Sequence, residues 1–292
     1  MPNLKAIRKR IASVKSTKQV TAAMKMVAAA KLRKVQNKVI ALRPYLEKFQ
    51  QLIPDAIAGY YGDYNSIFFQ SPENAEKFLI IAISSNRGLC GAFNINVVKE
   101  VIKTFENLKQ KGIDPKNIEI FTFGKKASQI LKYRNFNVIE EEQNIFDDLT
   151  YQNAQKFADR FIEDFKKGKY RYIYLIYNDF KSAGSQTIAN KQYLPFKVET
   201  KKKMPGGFIY EPDFNTVLNK LIPETLRSIL FGALLASFAA EQAARMTAMH
   251  KATDNATEMI RKLTLEYNKA RQAAITKEIL EIVGGAEALK NG

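Results

Sequence analysis

Apolar side chains recur at steps of three and four along the first part of the chain. From Leu4 onward, thirteen of sixteen successive stripe positions are apolar, as in a helix that buries one face against another helix. The stripe consists of Leu4, Ile7, Ile11, Val14, Lys18, Thr21, Lys25, Ala28, Leu32, Val35, Val39, Leu42, Leu46, Phe49, Ile53 and Ala56. This pattern predicts one long helix over residues 3–57, which Pro44 and Pro54 would bend or interrupt.

The three exceptions on this stripe are consecutive: Lys18, Thr21 and Lys25. Over about two helical turns, therefore, the seam stops being a simple apolar surface. We predict a distinct polar patch at this place on the first helix.

Residues 75–215 show a different pattern, in which short apolar runs alternate with helical periodicity. The strand candidates are 78–84, 117–124, 137–142 and 171–180. The helical patterns between them are Asn96–Lys111, Lys125–Tyr133 and Tyr151–Lys167. This alternation predicts βαβ units with a mainly parallel sheet. Residues 181–215, which include KKKMPGG and EPD, are interpreted as loops and turns.

The last segment has helical periodicity again. Pro223 suits a helix start, and Gly284-Gly285 suits a helix end. Its predicted seam consists of Met249, Ala252, Ala256, Met259, Leu263, Tyr267, Ala270 and Ala274. The many small residues on this seam would let a partner helix approach closely.

A long helix needs a surface on which to bury its apolar stripe, and each end of this chain offers one to the other. We therefore predict a long antiparallel coiled coil made from the two ends, plus a Rossmann-like α/β domain. The predicted division is an N-terminal helix over 1–57, the α/β domain over 75–215, and a C-terminal helix over 216–292.

Charge changes this picture, because the formal net charge is +17. Residues 1–46 hold twelve basic and no acidic residues, whereas residues 224–292 hold nine basic and eight acidic ones. Like charges at i,i+4 do not support a helix. A solvated helix face is one interpretation. The other is an acidic partner, which could be nucleic acid, an anionic membrane surface or an acidic protein.

The residues needed for several kinds of chemistry are missing. With one histidine, His250, and one cysteine, Cys90, we expect no zinc site, no Ser-His-Asp triad and no internal disulfide. The phosphate-loop pattern G-x-x-x-x-G-K-[ST] does not occur. The longest apolar run, Ile229–Ala240, has twelve residues. A bilayer span takes roughly 20, so no membrane span is predicted.

One stretch, SSNRGLCGAFN at 84–94, stands between a predicted strand and a predicted helix. Backbone N–H groups in such a loop could hold an anion. The glycine spacing does not match G-x-G-x-x-G, however, and a tight turn that needs glycine conformations is the favoured interpretation. Arg87 at its tip would then be a contact residue.

Three stretches together resemble one family, the gamma subunit of the F-type ATP synthase, in its bacterial form. They are IRKRIASVKSTKQVTAAMKMVAAAKLRKVQ (7–36), SSNRGLCGAFN (84–94) and ITKEILEIVGGAEAL (275–289). Residues 238–260 and 267–276 match as well, whereas 95–200 match in pattern only. The family more often has Asp where Asn86 stands.

The resemblance implies a rotor shaft without catalytic residues, metal or cofactor. Its coiled coil would turn inside a hexamer of alpha and beta subunits. Its α/β domain would lie beside the epsilon subunit, against the membrane-embedded c ring. Proton flow would turn the c ring and the shaft, and the shaft would drive each beta subunit through the states of ATP synthesis. The chain would be peripheral, at the cytoplasmic face of the bacterial plasma membrane, and would reach the membrane only through the complex.

Motif positions and the basic patch imply a set of beta contacts: Lys18, Met24, Lys25, Arg87, Arg245, Gln272 and Thr276. Arg245 would be an ion-pair or hydrogen-bond donor, Gln272 and Thr276 hydrogen-bonding partners, and Met24 an adaptable packing contact. The alternatives are helix packing for Met24, exposed helix surface for Gln272 and Thr276, and an i,i+4 pair with Glu241 for Arg245.

The segment GGFIYEPD (206–213) resembles the part of the family that meets the c ring. Phe208, Tyr210 and Glu211 would be the contacts, with local packing of the aromatic pair as the alternative. At the far end, Gly284-Gly285 and Ala286 fit a narrow helix tip inside an apolar collar.

Two other functions compete with this one. The first is a basic helical protein that binds nucleic acid, although its arm lacks interleaved aromatic residues. The second is a nucleotide-dependent α/β enzyme, which would have to use the 84–94 loop.

Overall fold

The computed structural model describes residues 4–60, 66–182, 185–197 and 208–290. They belong to two compact units. The helical unit comprises the chain up to Ala28 and from Met246 onward, and the α/β unit comprises Ala29–Arg245. The predicted three-segment division follows element order instead and stays a prediction.

Two long helices, α1 (Leu4–Gly59) and α5 (Phe214–Lys290), confirm the helices predicted at the two ends of the chain. The interruption expected in α1 does not occur, since the helix continues through Pro44 and Pro54. A proline removes one backbone hydrogen bond, but the stripe on both sides remains packed, with Ile53 fully buried.

The helix start inferred from Pro223 and the helix end inferred from Gly284-Gly285 are both wrong. The helix begins at Phe214, ahead of Pro223, because the Asp213 carboxylate accepts a hydrogen bond from the backbone N–H of Thr216 at 2.9 Å and caps the first turn. It also continues through Gly284-Gly285. Glycine lowers helix propensity without blocking the backbone hydrogen bonds.

Five strands form one sheet in the order β3-β2-β1-β4-β5. They are β1 (Lys77–Ile83), β2 (Ile118–Phe123), β3 (Val138–Glu142), β4 (Tyr170–Ser182) and β5 (Ser185–Leu194). The connecting helices are α2 (Phe93–Gln110), α3 (Lys125–Tyr133) and α4 (Tyr151–Lys166). The first four strands are parallel, which confirms the mainly parallel Rossmann-like sheet.

The interpretation of 181–215 as loops and turns missed β5, which pairs antiparallel with β4 at the sheet edge. Its sequence, SQTIANKQYL, is mostly polar because one side of an edge strand faces solvent. The KKKMPGG stretch (201–207) lies outside the described residues.

Each face of the sheet has its own core. One core joins β1, β2 and β4 to α4 and to the parts of α1 and α5 in this unit, with Phe121, Phe161 and Leu230 among its members. The other joins the opposite face to α2 and α3, with Ile80 and Val97 among its members. Helices therefore cover the sheet on both faces.

Within the α/β unit, α1 and α5 run antiparallel. Leu42 and Leu46 of α1 lie against Gly232 of α5, where a Cβ atom would meet Leu46 Cδ1 at 2.6 Å. Further along α1, the backbone carbonyl of Ala56 accepts a hydrogen bond from the Tyr210 hydroxyl, just before α5 begins. Later positions on α1 therefore contact earlier positions of the partner segment, as in an antiparallel pair.

Within the helical unit, the seam positions of both helices are the ones that lose solvent exposure. Ile7, Thr21 and Ala28 of α1 are buried, as are Met249, Ala256 and Leu263 of α5. Met259 was predicted on this seam, but it is 44% exposed and the neighbouring Ile260 is half-buried instead. The seam position that follows Ala256 is therefore Ile260, four residues later, rather than Met259, three residues later.

One stretch of α5 has the length and composition of a membrane span, with a mean hydropathy of 1.4 over 18 residues. More than half of it, 56%, is buried inside the protein. The prediction of no membrane span rested on the longest uninterrupted apolar run, and it did not identify this stretch. Its burial is that of a core helix, and α5 contributes Leu226, Leu230 and Leu234 to the α/β unit.

Candidate functional site

The 84–94 loop leaves β1 and is held together by its own side chains. Asn94 accepts a hydrogen bond from the backbone N–H of Ser85 at 3.0 Å and donates one to the Ser85 hydroxyl at 2.9 Å. That hydroxyl donates to the carbonyl of Arg87 at 2.7 Å. Leu89 and Gly91 have positive φ angles of 63° and 60°. These features support the tight-turn interpretation, because the polar groups near the turn bind one another.

Neighbouring loops fix the same turn from outside. The Asn86 side chain donates to the carbonyl of Gln143 at 2.6 Å and accepts from the backbone N–H of Lys125 at 3.2 Å. Gly124, with φ of +90°, lies so close that a Cβ atom there would be 2.3 Å from the carbonyl oxygen of Ser84. A substituted residue at Gly124 would therefore displace backbone.

Arg245 of α5 lies under this loop. Its guanidinium group donates to the carbonyls of Arg87 and Gly88 at 3.1 and 3.2 Å, and it forms an ion pair with Glu241. Arg245 is only 9% exposed. Sequence reasoning anticipated the Glu241 pair but missed the loop carbonyls, since nothing in the spacing indicates a contact across so many residues.

Burial raises the pKa of Glu241, while the charge of Arg245 opposes that rise. A buried ion pair is costly to desolvate unless further hydrogen bonds satisfy both partners. Here the two loop carbonyls supply those bonds to the guanidinium group. The arrangement connects the loop to α5 through the Arg245 side chain.

Arg87 and Leu89 project from the outside of the loop. Arg87 is exposed, and Leu89 is 64% exposed although it is a large apolar residue. The structure therefore brings together two predicted contact residues, Arg245 and Arg87, with one buried and the other exposed. Leu89 was not predicted; its exposure is visible only in the fold.

In the helical unit, the predicted polar patch surrounds one inter-helix hydrogen bond. The hydroxyls of Thr21 and Thr253 lie 2.8 Å apart. Lys18, Met24 and Lys25 are half-buried around this position on α1. The polar interruption of the seam is thus matched by a polar residue on the partner helix, which sequence analysis did not identify.

Gln272 and Thr276 lie on α5 in the same unit and are both exposed. The Thr276 hydroxyl donates to the backbone carbonyl of Gln272 at 3.0 Å, within the helix. Among the described residues, the side chain of Gln272 has no hydrogen-bond partner. Apolar side chains further on, including Ile279 and Ile282, are exposed too.

The predicted foot residues precede α5. Tyr210 donates to the Ala56 carbonyl at 3.0 Å, and its ring contacts Phe214 edge-on at 4.9 Å. Phe208 and Glu211 are exposed. The Phe208 and Tyr210 rings contact each other, with 6.3 Å between their centroids. The aromatic pair is therefore packed locally, while Phe208 keeps 49% of its surface exposed.

In the described part of the chain, no three His, Cys, Asp or Glu side chains lie close enough together to hold a metal ion. Cys90 is buried beneath the loop, where burial raises the pKa of its thiol. His250 is exposed beside Asp254, with 3.5 Å between Nδ1 and the carboxylate. Neither residue has the surroundings of a reactive group.

Comparison of the sequence with known proteins gives matches over its whole length. A family model described as ATP synthase matches residues 3–289. The ATP synthase gamma chain of Flavobacterium psychrophilum is 48% identical over 293 residues, which cover 99% of this chain and 100% of the relative. That of Chlorobium luteolum is 40% identical over 291 residues, with full coverage of both chains.

Solved structures with a similar fold come from mitochondrial complexes. A chain of the central stalk and c-ring of the Tetrahymena thermophila ATP synthase has a TM-score of 0.59 and 26% identity, covering 80% of this chain and 99% of that one. A chain of the Euglena gracilis ATP synthase has a TM-score of 0.69 and covers 98% of this chain and 94% of that one. At 20% identity, this second match is a likeness of fold alone.

Proposed function

Because this chain belongs to the ATP synthase family and to its gamma chains, we propose that it acts as the shaft that couples ion-driven rotation of the c ring to conformational change in the catalytic beta subunits. As a gamma chain it is a non-catalytic subunit of the rotor, and its association with the membrane is through the complex. None of the relatives named above is a nucleic-acid-binding protein. The alternative of a nucleic-acid-binding protein therefore has no support.

The observation that carries the proposal is the attachment of the 84–94 loop to α5 through Arg245. A shaft can shift the equilibrium of a beta subunit only if it interacts differently with the states of that subunit. A contact on one side of the shaft, held rigidly, provides such a difference. We place Arg87 and Leu89 in direct contact with beta, and Arg245 behind them as the residue that positions the loop.

A second group of beta contacts lies in the helical unit. Lys18, Met24 and Lys25 surround the polar part of the seam, and Gln272 and Thr276 are exposed on α5. Basic side chains without acidic neighbours on their own helix suit an acidic loop of beta. The exposed apolar tip of α5 suits an apolar collar in the alpha–beta hexamer.

At the foot, we propose that Phe208, Tyr210 and Glu211 meet the c ring and that the epsilon subunit binds beside them. Tyr210 is anchored by its hydrogen bond to Ala56, so it can support Phe208 as a rigid aromatic contact. With bacterial relatives at 48% identity, we place the chain at the cytoplasmic face of a bacterial plasma membrane.

The test is Arg245→Ala combined with Glu241→Gln, which leaves no buried charge unpaired, in purified, membrane-reconstituted complexes. We expect ATP synthesis to fall about tenfold, as the loss of a charge-assisted hydrogen bond predicts, while recovery of assembled complex changes little. Arg261→Ala, an exposed arginine on the same helix, is the matched control and should keep full activity. Equal losses of synthesis and assembly would mean that Arg245 is needed only for folding.

The foot contacts are tested separately. Phe208→Ala should weaken attachment of the c ring, measured as loss of c subunits during purification and as uncoupled ATP hydrolysis. Tyr133→Ala, which removes a more exposed aromatic ring from α3, is the control. Unchanged c-ring recovery and unchanged coupling in Phe208→Ala would remove this residue from the interface.

A further inference from the structure

A cavity of about 580 Å³ lies at the end of the sheet where β1 and β4 begin and where β5 and α2 end. This is the opposite end of β1 from the 84–94 loop. None of the functional residues proposed above lines the cavity. Its volume is within the range of ordinary small-molecule sites.

The way α2 ends creates one wall of this cavity. Gly112 has a φ of +85°, and the backbone N–H of Ile113 bonds to the carbonyl of Leu108 at 3.2 Å, while that of Gly112 bonds to Lys109 at 2.9 Å. These are the bonds of a Schellman motif, which brings the residues at its two ends together. Leu108 and Ile113 therefore form an apolar wall, and Lys111 lies between them in sequence at the rim.

The sheet supplies an aromatic row on the same face. The rings of Phe78 and Tyr172 are 5.6 Å apart and nearly parallel, and those of Tyr172 and Tyr174 are 6.3 Å apart and nearly parallel. Burial raises the pKa of Tyr174, with Tyr172 adding to the effect, so its hydroxyl keeps its proton at neutral pH. The row gives the cavity apolar surface and phenolic donors.

The charges at this cavity have one sign. Lys111, Arg171 and Lys197 all line it and are exposed, and the described lining residues include no Asp or Glu. Within the described part of the chain, none of the three cations forms an ion pair. Positive charges gathered in a concave site raise the local concentration of anions, and arginine in particular suits a phosphate group.

We propose that this cavity binds an organic phosphate, with the phosphate group held by Lys111, Arg171 and Lys197 and the apolar part lying against the aromatic row. Two sources share this chemistry, a soluble nucleotide and the headgroup of an anionic phospholipid. The site is independent of the beta contacts, so its failure would leave the rotor function untouched.

The experiment is a calorimetric titration of the full chain with three probes: ADP, a short-chain soluble phosphatidylglycerol, and inorganic phosphate. We expect saturable binding of at least one organic phosphate that is tighter than that of inorganic phosphate. The double variant Lys111→Gln/Arg171→Gln should weaken it about tenfold or more. Binding of ADP alone identifies a nucleotide site, and binding of the lipid alone identifies a headgroup site.

The control is Lys109→Gln/Arg134→Gln, which removes the same charge from exposed residues of the same unit that do not line the cavity. Far-UV circular dichroism establishes that both double variants are folded. The proposal is overturned if neither organic phosphate binds, if the control weakens binding as much as the cavity variant, or if inorganic phosphate binds as tightly as both organic ones.

Discussion

The helix α5 has two different environments along its length. In the α/β unit, Leu226, Leu230 and Leu234 are fully buried and belong to a core shared with the sheet. In the helical unit, the buried residues of α5 are Met249, Ala256 and Leu263, which is about one residue per two turns. Apolar burial is the main source of folding stability. The α/β unit therefore carries most of the stability, while the helical unit leaves most of its surface for other contacts.

Polar contacts in the two units differ in the same way. The Glu241–Arg245 pair is buried in the α/β unit and is completed by two loop carbonyls. The Thr21–Thr253 bond in the helical unit joins two hydroxyls, each within hydrogen-bond distance of a carbonyl of its own helix, so one hydroxyl donates to the other and the second can donate to its own carbonyl. Leaving a buried charge without its full set of hydrogen bonds would lower the stability of the fold considerably. Loss of the partner hydroxyl would cost either threonine little. Function that depends on rigidity is thus expected in the α/β unit.

The largest expected effect is that of Leu230→Ala, in the core of the α/β unit. Removing this fully buried side chain should lower the free energy of unfolding by about 2–5 kcal/mol. Leu265→Ala, on the same helix in the helical unit, removes the same atoms from a side chain that is 54% exposed and should cost less than about 0.5 kcal/mol. Urea denaturation followed by circular dichroism measures both. Similar losses would contradict the contrast between the two parts of α5.

The next effect concerns the backbone under the 84–94 loop. Gly124→Ala should cost at least about 1 kcal/mol, because φ is +90° and the added Cβ meets the Ser84 carbonyl at 2.3 Å. Gly88→Ala is the control, since nothing lies within 4 Å of a Cβ atom there. Thermal unfolding should shift strongly for the first variant and little for the second. If Gly124→Ala unfolds at nearly the same temperature as the original protein, the loop is less rigid than its contacts indicate.

A third prediction uses pH. Burial on its own would raise the pKa of Glu119, but hydrogen bonds from Lys77 at 2.6 Å and Tyr170 at 2.8 Å outweigh it, and the pKa is lowered below its ordinary value of 4.5. A lowered pKa adds stability above the unfolded-state value, and this stability is lost as the pH falls through the folded-state value. Glu119→Gln should remove on the order of 1 kcal/mol at neutral pH.

The measurement is unfolding free energy between pH 7 and pH 3, in which Glu119→Gln should flatten the acid side of the curve. Glu258→Gln in the helical unit is the control. Its carboxylate is paired with Lys262 at 2.7 Å, which lowers its pKa as well, but the side chain is 56% exposed. Solvent screens such a pair, so its removal should change the curve much less than the removal of Glu119. Equal flattening by both variants would mean that the buried pair of Glu119 contributes no more stability than the exposed pair of Glu258.

The smallest effect is at the threonine pair of the helical unit. Thr21→Val and Thr253→Val keep the side-chain shape and remove the hydroxyls, and a double-mutant cycle should give a coupling of about 0.5–1 kcal/mol. Pairing Thr21→Val with Thr257→Val, whose exposed hydroxyl bonds within its own helix, should give no coupling. No coupling in the first cycle either would leave the polar break in the seam without a stabilising role.

Much of the candidate site could be predicted from residue patterns, and its internal contacts could not. The polar break at Lys18, Thr21 and Lys25 was visible because it violates a regular apolar stripe. The partner hydroxyl of Thr253 was not, since the periodicity of α5 does not record which of its residues faces Thr21. For the same reason Arg245 could be paired with Glu241 at i,i+4, but its bonds to the 87–88 carbonyls could not be foreseen.

By itself, the amino-acid sequence determined the two long helices, four of the five strands and the parallel order expected of βαβ units, because apolar periodicity reflects local geometry and burial. It also determined the family, through stretches near both ends of the chain and after β1. Tertiary structure decided where α5 begins, that the polar strand β5 completes the sheet, and that a basic cavity opens beyond α2. These features depend on a capping side chain, an edge pairing and the packing of distant segments, none of which leaves a periodic signal in the chain.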